Sequence, residues 1–94
     1  MSILDQIATR IIKEQELIIG PVAWYEAKKV SGLRIINQST GEVSIENGDN
    51  GMVIDKLVAQ YDRLFGKASR EVSKEAAKPF LASLAPADVP ASLK

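Results

Sequence analysis

The chain has 94 residues, 46% of them hydrophobic, with 12 Lys and Arg balanced by 12 Asp and Glu, and it contains neither cysteine nor histidine. That apolar content in so short a chain implies one folded domain rather than two, or a disordered segment. Without thiols or imidazoles, disulfides, thiolate zinc sites, Fe–S clusters, cysteine nucleophiles and histidine general bases are excluded, and zero net charge provides no long-range field toward nucleic acid or an anionic membrane.

A domain of this size buries only about 60–65% of its unfolded surface, so its stability margin is thin, and oligomerisation is one way to widen it. Charge drifts mildly along the chain: residues 1–50 carry five Lys/Arg against seven Asp/Glu (net −2), and residues 51–94 carry seven against five (net +2). No apolar run approaches the about 18–20 residues needed to span a bilayer. The opening MSILDQIATR also lacks a basic stretch ahead of a continuous apolar one, so the chain reads as soluble and cytoplasmic.

Ser2 followed by Asp5 is a capping-box start, and the helix it opens runs to Gly20. Ile3, Leu4, Ile7, Ala8, Ile11, Ile12, Ile18 and Ile19 project within one half of its circumference. One side of a core needs an apolar arc of little more than about 100°, so a half-circle implies that this helix touches two things. A partner chain is a candidate for the second. Ile7, Ile11 and Ile18 would then lie on the shared face, with Gln15 as a polar residue that fixes register in an oligomer.

Gly20-Pro21 ends the first helix and begins a short second one over Val22 to Val30, stopped by Ser31-Gly32. Trp24 and Tyr25 are neighbours, so a helix sends them about 100° apart and at most one of them belongs in the core. Both are candidates for an interface or for the wall of a small-molecule pocket. The bland alternative is a core Trp with Tyr at its rim.

Leu33 to Gln38 and Val43 to Asn47 alternate apolar and polar residues around Ser39-Thr40-Gly41-Glu42, which predicts a β-hairpin. Leu33, Ile35, Val43 and Ile45 face the core, and Arg34, Ile36, Ser44 and Glu46 face outward. A lone hairpin is marginal, so this one lies on helices or pairs edge to edge with another copy, with Ile36 as an apolar residue on the outer surface. Asp49 or Asn50, in the polar loop that follows, is expected to cap the next helix.

That helix, Val53 to Gly66, is the most cleanly divided stretch: Val53, Ile54, Leu57, Val58, Tyr61, Leu64 and Phe65 share one face, and Asp55, Lys56, Gln60, Asp62 and Arg63 the other. Such a helix fits a single core and leaves no surface for a partner. Ser69 is a plausible cap for a last helix through Ala77, with Pro79 kinking or restarting it. The domain proper therefore covers residues 1–84, and APADVPASLK, residues 85–94, reads as an extended or mobile tail.

Arg63, Lys67, Arg70, Lys74 and Lys78 are spaced to form one basic stripe, which could follow phosphates. Glu71 and Glu75 interleave at spacings that allow Lys67–Glu71 and Glu75–Lys78 pairs, which is how a solvated helix face reads. A winged-helix reader places three helices before its wing, whereas here two precede the hairpin and two follow, so nucleic acid is disfavoured as a partner. No serine has a lysine three residues on, and the glycines form neither a dinucleotide fingerprint nor a P-loop. No catalytic residue, metal or cofactor is indicated.

The order helix–helix–hairpin–helix–helix predicts an α+β domain with helices on one face of a short antiparallel sheet. The expected role is a non-catalytic interaction or assembly module acting as a homodimer, or with another protein partner, through Ile7, Ile11, Gln15, Ile18, Trp24, Tyr25 and Ile36. The alternatives are phosphate binding by the basic stripe and a small-molecule pocket beside Trp24 and Tyr25.

Overall fold

The capping box forms as its residues require: Ser2 Oγ accepts the Asp5 N–H and Asp5 Oδ2 accepts the Ser2 N–H, each at 3.1 Å. It opens α1, Ile3–Ile19, which ends at Gly20 with φ +78°. The computed structural model describes residues 2–46 and 50–94. The remaining elements are α2 (Val22–Ala27), β1 (Leu33–Asn37), β2 (Glu42–Ile45), α3 (Asn50–Phe65) and α4 (Lys67–Leu81), followed by 3-10 turns at Pro86–Asp88 and Ala91–Leu93. This is the expected α+β order. The cap expected from Asp49 or the Asn50 side chain falls outside the described residues.

α1 is the centre of the fold. Ile7, Ala8, Ile11 and Ile12 are fully buried, and each large aliphatic side chain so buried contributes about 1.5–3 kcal/mol. Most of the wide apolar arc is used within one chain, with α4, α2, β2 and α3 all packed on α1, and Ile18 is left exposed. The accessible surface, 5205 Å², is close to the about 5,300 Å² expected of a compact monomer of this mass.

α2 stops three residues sooner than its pattern predicts, and the chain turns through residues 28–32 to reach Gly32 at φ +89°. A Cβ there would sit 2.8 Å from Val53 Cγ2, so glycine is needed both for the backbone and for the approach to α3. The hairpin pairs Leu33 with Ile45 and Ile35 with Val43, with an irregularity between Ile35 and Asn37. Val43 and Leu33 reach the core as expected, and Ile36 is exposed. β2 is held to α1 by Asp5, whose second oxygen, Oδ1, accepts the Ile45 N–H at 2.9 Å. One carboxylate thus caps a helix and satisfies a sheet-edge amide, and the hairpin lies on helices of its own chain.

α4 departs from its prediction at both ends. Its first residue follows Gly66, at φ +86°, with no side-chain cap, and Ser69 lies inside the helix. The helix also continues through Pro79 to Leu81 without restarting. Pro79 has no N–H for the carbonyl four residues back, so the helix lacks one ladder bond near its C-terminal end. The side of α4 turned to the core carries small residues, Ser69, Ser73, Ala76 and Ala77, which lets it approach the isoleucine-rich α1 closely.

The segment expected as an extended or mobile tail is packed at its end, while residues 85–88 are exposed. Leu93 is buried, and Ser92 donates both its N–H (2.9 Å) and its hydroxyl (2.5 Å) to Asp55 Oδ1 on α3.

Candidate interaction surfaces

Gln15 is the clearest case of a polar residue whose place the sequence could not reveal. It is fully buried between α1 and α4, where its Nε2 donates to the Ser69 carbonyl (2.8 Å) and to Ser73 Oγ (3.1 Å), while its Oε1 accepts the Ser69 hydroxyl (3.1 Å). Its register role exists, but within the monomer. Ser69 lies inside α4 rather than at its cap, with its hydroxyl bonded to Gln15.

Ile7 and Ile11 are also wholly enclosed by their own chain, and Trp24 is 2% exposed. These three and Gln15 are therefore spent in the core and present nothing to a partner. Of the expected interface residues, Ile18, Tyr25 and Ile36 are exposed, and they stand on three different elements. Lys29 Nζ covers the Tyr25 ring at 4.5 Å from its centroid, a cation–π contact. Trp24 borders a recess shared with Thr9, Lys13, Leu17 and Gln38, and Tyr25 does not.

Two exposed apolar groups escaped the sequence reading. Leu64 and Phe65 follow the helical face of Tyr61 and were expected in the core, yet both are exposed. α3 outlasts the core by one turn. The Tyr61 hydroxyl donates to the Ala23 carbonyl at 2.7 Å, which ties α2 to α3. Burial, followed by the charge of Glu26, raises the Tyr61 hydroxyl above the ordinary phenol range, so it remains a donor. Glu26 is itself buried, accepting from Gln60 Nε2 at 2.8 Å and pairing with Lys29 at 3.3 Å. Leu17, 80% exposed, is an apolar residue on the otherwise polar side of α1, a signal that was legible in the helical wheel. With Ile18 it borders a groove between α1 and α4.

Two of the five cations of the basic stripe are paired with carboxylates. Arg70 pairs with Asp62 at 2.8 Å, Lys78 with Glu75 at 2.9 Å, and Arg63 donates to Gln60 Oε1 at 3.1 Å. The expected Glu75–Lys78 pair forms, whereas Lys67 and Glu71 are not paired. Lys74 and Arg70 share their recess with Asp55 and Asp62, so a phosphate entering it would meet two carboxylates. Among the described residues no cluster of acidic side chains is arranged to hold a metal ion, and no helix is long and apolar enough to cross a membrane.

Comparison with known proteins adds no template: no protein-family model, no curated protein and no solved structure matches the chain.

Proposed function

We infer that this chain is a cytoplasmic, non-catalytic interaction module that associates with a second copy of itself through the surface around Leu64 and Phe65. The observation that supports it is the exposed last turn of α3. Leu64 and Phe65 lie beyond the core, exposed at the end of α3. Exposed aliphatic and aromatic side chains set among polar ones are what a homodimer interface is made of. Zero net charge lets two copies meet without mutual repulsion. A standard interface of about 800 Å² per partner would take roughly 15% of the chain's surface.

Sedimentation equilibrium tests the reading. The wild-type chain should pass from monomer to dimer between low and high micromolar concentration. Leu64→Glu and Phe65→Glu, at exposed positions, should be monomeric throughout with unchanged circular dichroism. A wild-type chain that stays monomeric at several hundred micromolar would refute self-association.

A further inference from the structure

The groove between α1 and α4 has a different character from the proposed dimer surface. Its floor and lips are Leu17, Ile18, Val72, Ala76 and Pro79, and it encloses about 500 Å³. Leu17 and Ile18 are 80% and 60% exposed, so the apolar lining is open to solvent. Its rim is acidic on both sides, with Glu14 on α1 and Glu71 and Glu75 on α4. Arg10 is the one cation among the lining residues, and it is already engaged with Glu14 at 3.5 Å and over the Phe80 ring at 6.0 Å. Lys78 holds Glu75 from outside the groove, and Glu71 has no ion-pair partner among the described residues.

We propose that this groove docks a basic amphipathic helix supplied by another protein. Both walls are helices, and the lining runs eight residue steps along each, from Arg10 to Ile18 and from Glu71 to Pro79. At 1.5 Å per residue that is about 12 Å, enough for two turns of a third helix laid between them. The occupant presents aliphatic side chains at i, i+3, i+4 and i+7 to Leu17, Ile18 and Val72, and its flanking Lys or Arg side chains meet Glu14, Glu71 and Glu75. Charge decides against the other occupants. A second copy related by a twofold axis would set each acidic rim against itself, and phosphates or an anionic membrane would be repelled by the same carboxylates.

The test uses the full chain and two labelled peptides of roughly sixteen residues, long enough to hold a helix. Both carry Leu at i, i+3, i+4 and i+7, with Lys at the flanking positions of one and Glu at those of the other. Fluorescence anisotropy should show the Lys peptide binding at least tenfold tighter, with affinity falling as salt rises. Glu71→Lys combined with Glu75→Lys, both at exposed positions, should reduce that binding at least tenfold. Phe65→Glu should leave it unchanged, which separates this groove from the dimer surface: either can fail while the other stands. Amide shifts on titration should centre on Leu17, Ile18 and Val72. Equal affinity for the two peptides overturns the proposal, as do shifts confined to other elements. It is likewise overturned if the peptide-free protein shows concentration-dependent shifts at Ile18 and Val72, since the occupant would then be a second copy.

Discussion

Replacing Gln15 with alanine opens a buried space of four heavy atoms and removes three hydrogen bonds at 2.8–3.1 Å from the α1–α4 contact. The Ser69 carbonyl and both serine hydroxyls lose their partner where no water reaches. A stranded buried polar group costs about 1–3 kcal/mol, but each hydroxyl can turn back to a carbonyl of its own helix, so the expected net loss is about 2–4 kcal/mol. A chain of this length has roughly 5–14 kcal/mol of stability in all, and about 4–8 °C of melting temperature accompanies each kcal/mol. Gln15→Ala should therefore lower the melting temperature by roughly 10–25 °C, measured by circular dichroism and checked by urea titration. The decisive control is Gln15→Leu with Ser69→Ala and Ser73→Ala, which replaces both hydroxyl partners by methyl groups, leaves the Ser69 carbonyl only its place in the helical ladder, and should return to within about 1 kcal/mol of wild type. A loss under about 1 kcal/mol for Gln15→Ala, or a triple variant no better than the single one, would refute the account of a fully paired polar network. If Gln15 served an intermolecular seam instead, the difference in melting temperature between variant and wild type would grow with protein concentration. Here it should not.

Other expectations follow from the same geometry. Because burial raises Tyr61 above its ordinary value of 10.0, the unfolded chain ionises this tyrosine first and binds fewer protons than the folded one. The stability tied to Tyr61 is whole below pH 10 and declines above it, so urea titrations between pH 9 and 11 should show a steeper fall for wild type than for Tyr61→Phe; equal slopes would contradict the assignment. Asp5→Ala removes both the helix cap and the acceptor of the Ile45 amide, with an expected cost of about 1–3 kcal/mol, and hydrogen exchange at Ile45 should accelerate more than at Val43. Deleting residues 92–94 takes away the burial of Leu93 and both bonds to Asp55, and should cost about 2–4 kcal/mol in urea titration, whereas a free tail would cost nothing. Gly32→Ala forces a Cβ into φ +89° and against Val53, and should destabilise by about 1–3 kcal/mol, while a gain in stability would show that the turn relaxes freely.

Local rules read well where the partner lies close in sequence. Ser2 and Asp5 are three residues apart and form the box their spacing announces, and Gly20 ends α1 as expected. The hairpin register follows from alternation, because a slip of one residue would turn Leu33 and Val43 to solvent. The core face of α3 holds as far as Tyr61.

Periodicity by itself determined which sides of α1, α3 and the hairpin avoid water, and so the α+β order. It carries no information about what covers those sides or where the cover ends, because hydrophobic burial is non-directional and an Ile gains as much against its own chain as against a partner. Only the tertiary structure decided that α4 and the hairpin cover most of the wide face of α1 and leave Ile18 outside. It also decided that the core stops one turn short on α3, leaving Leu64 and Phe65 outside. Gln15 bonds across 54 residues to Ser69, and Ser92 across 37 to Asp55. Hydrogen bonds are directional and depend on which helices meet, so these partnerships, and the acid-rimmed groove that α1 and α4 make together, exist only once the chain has folded.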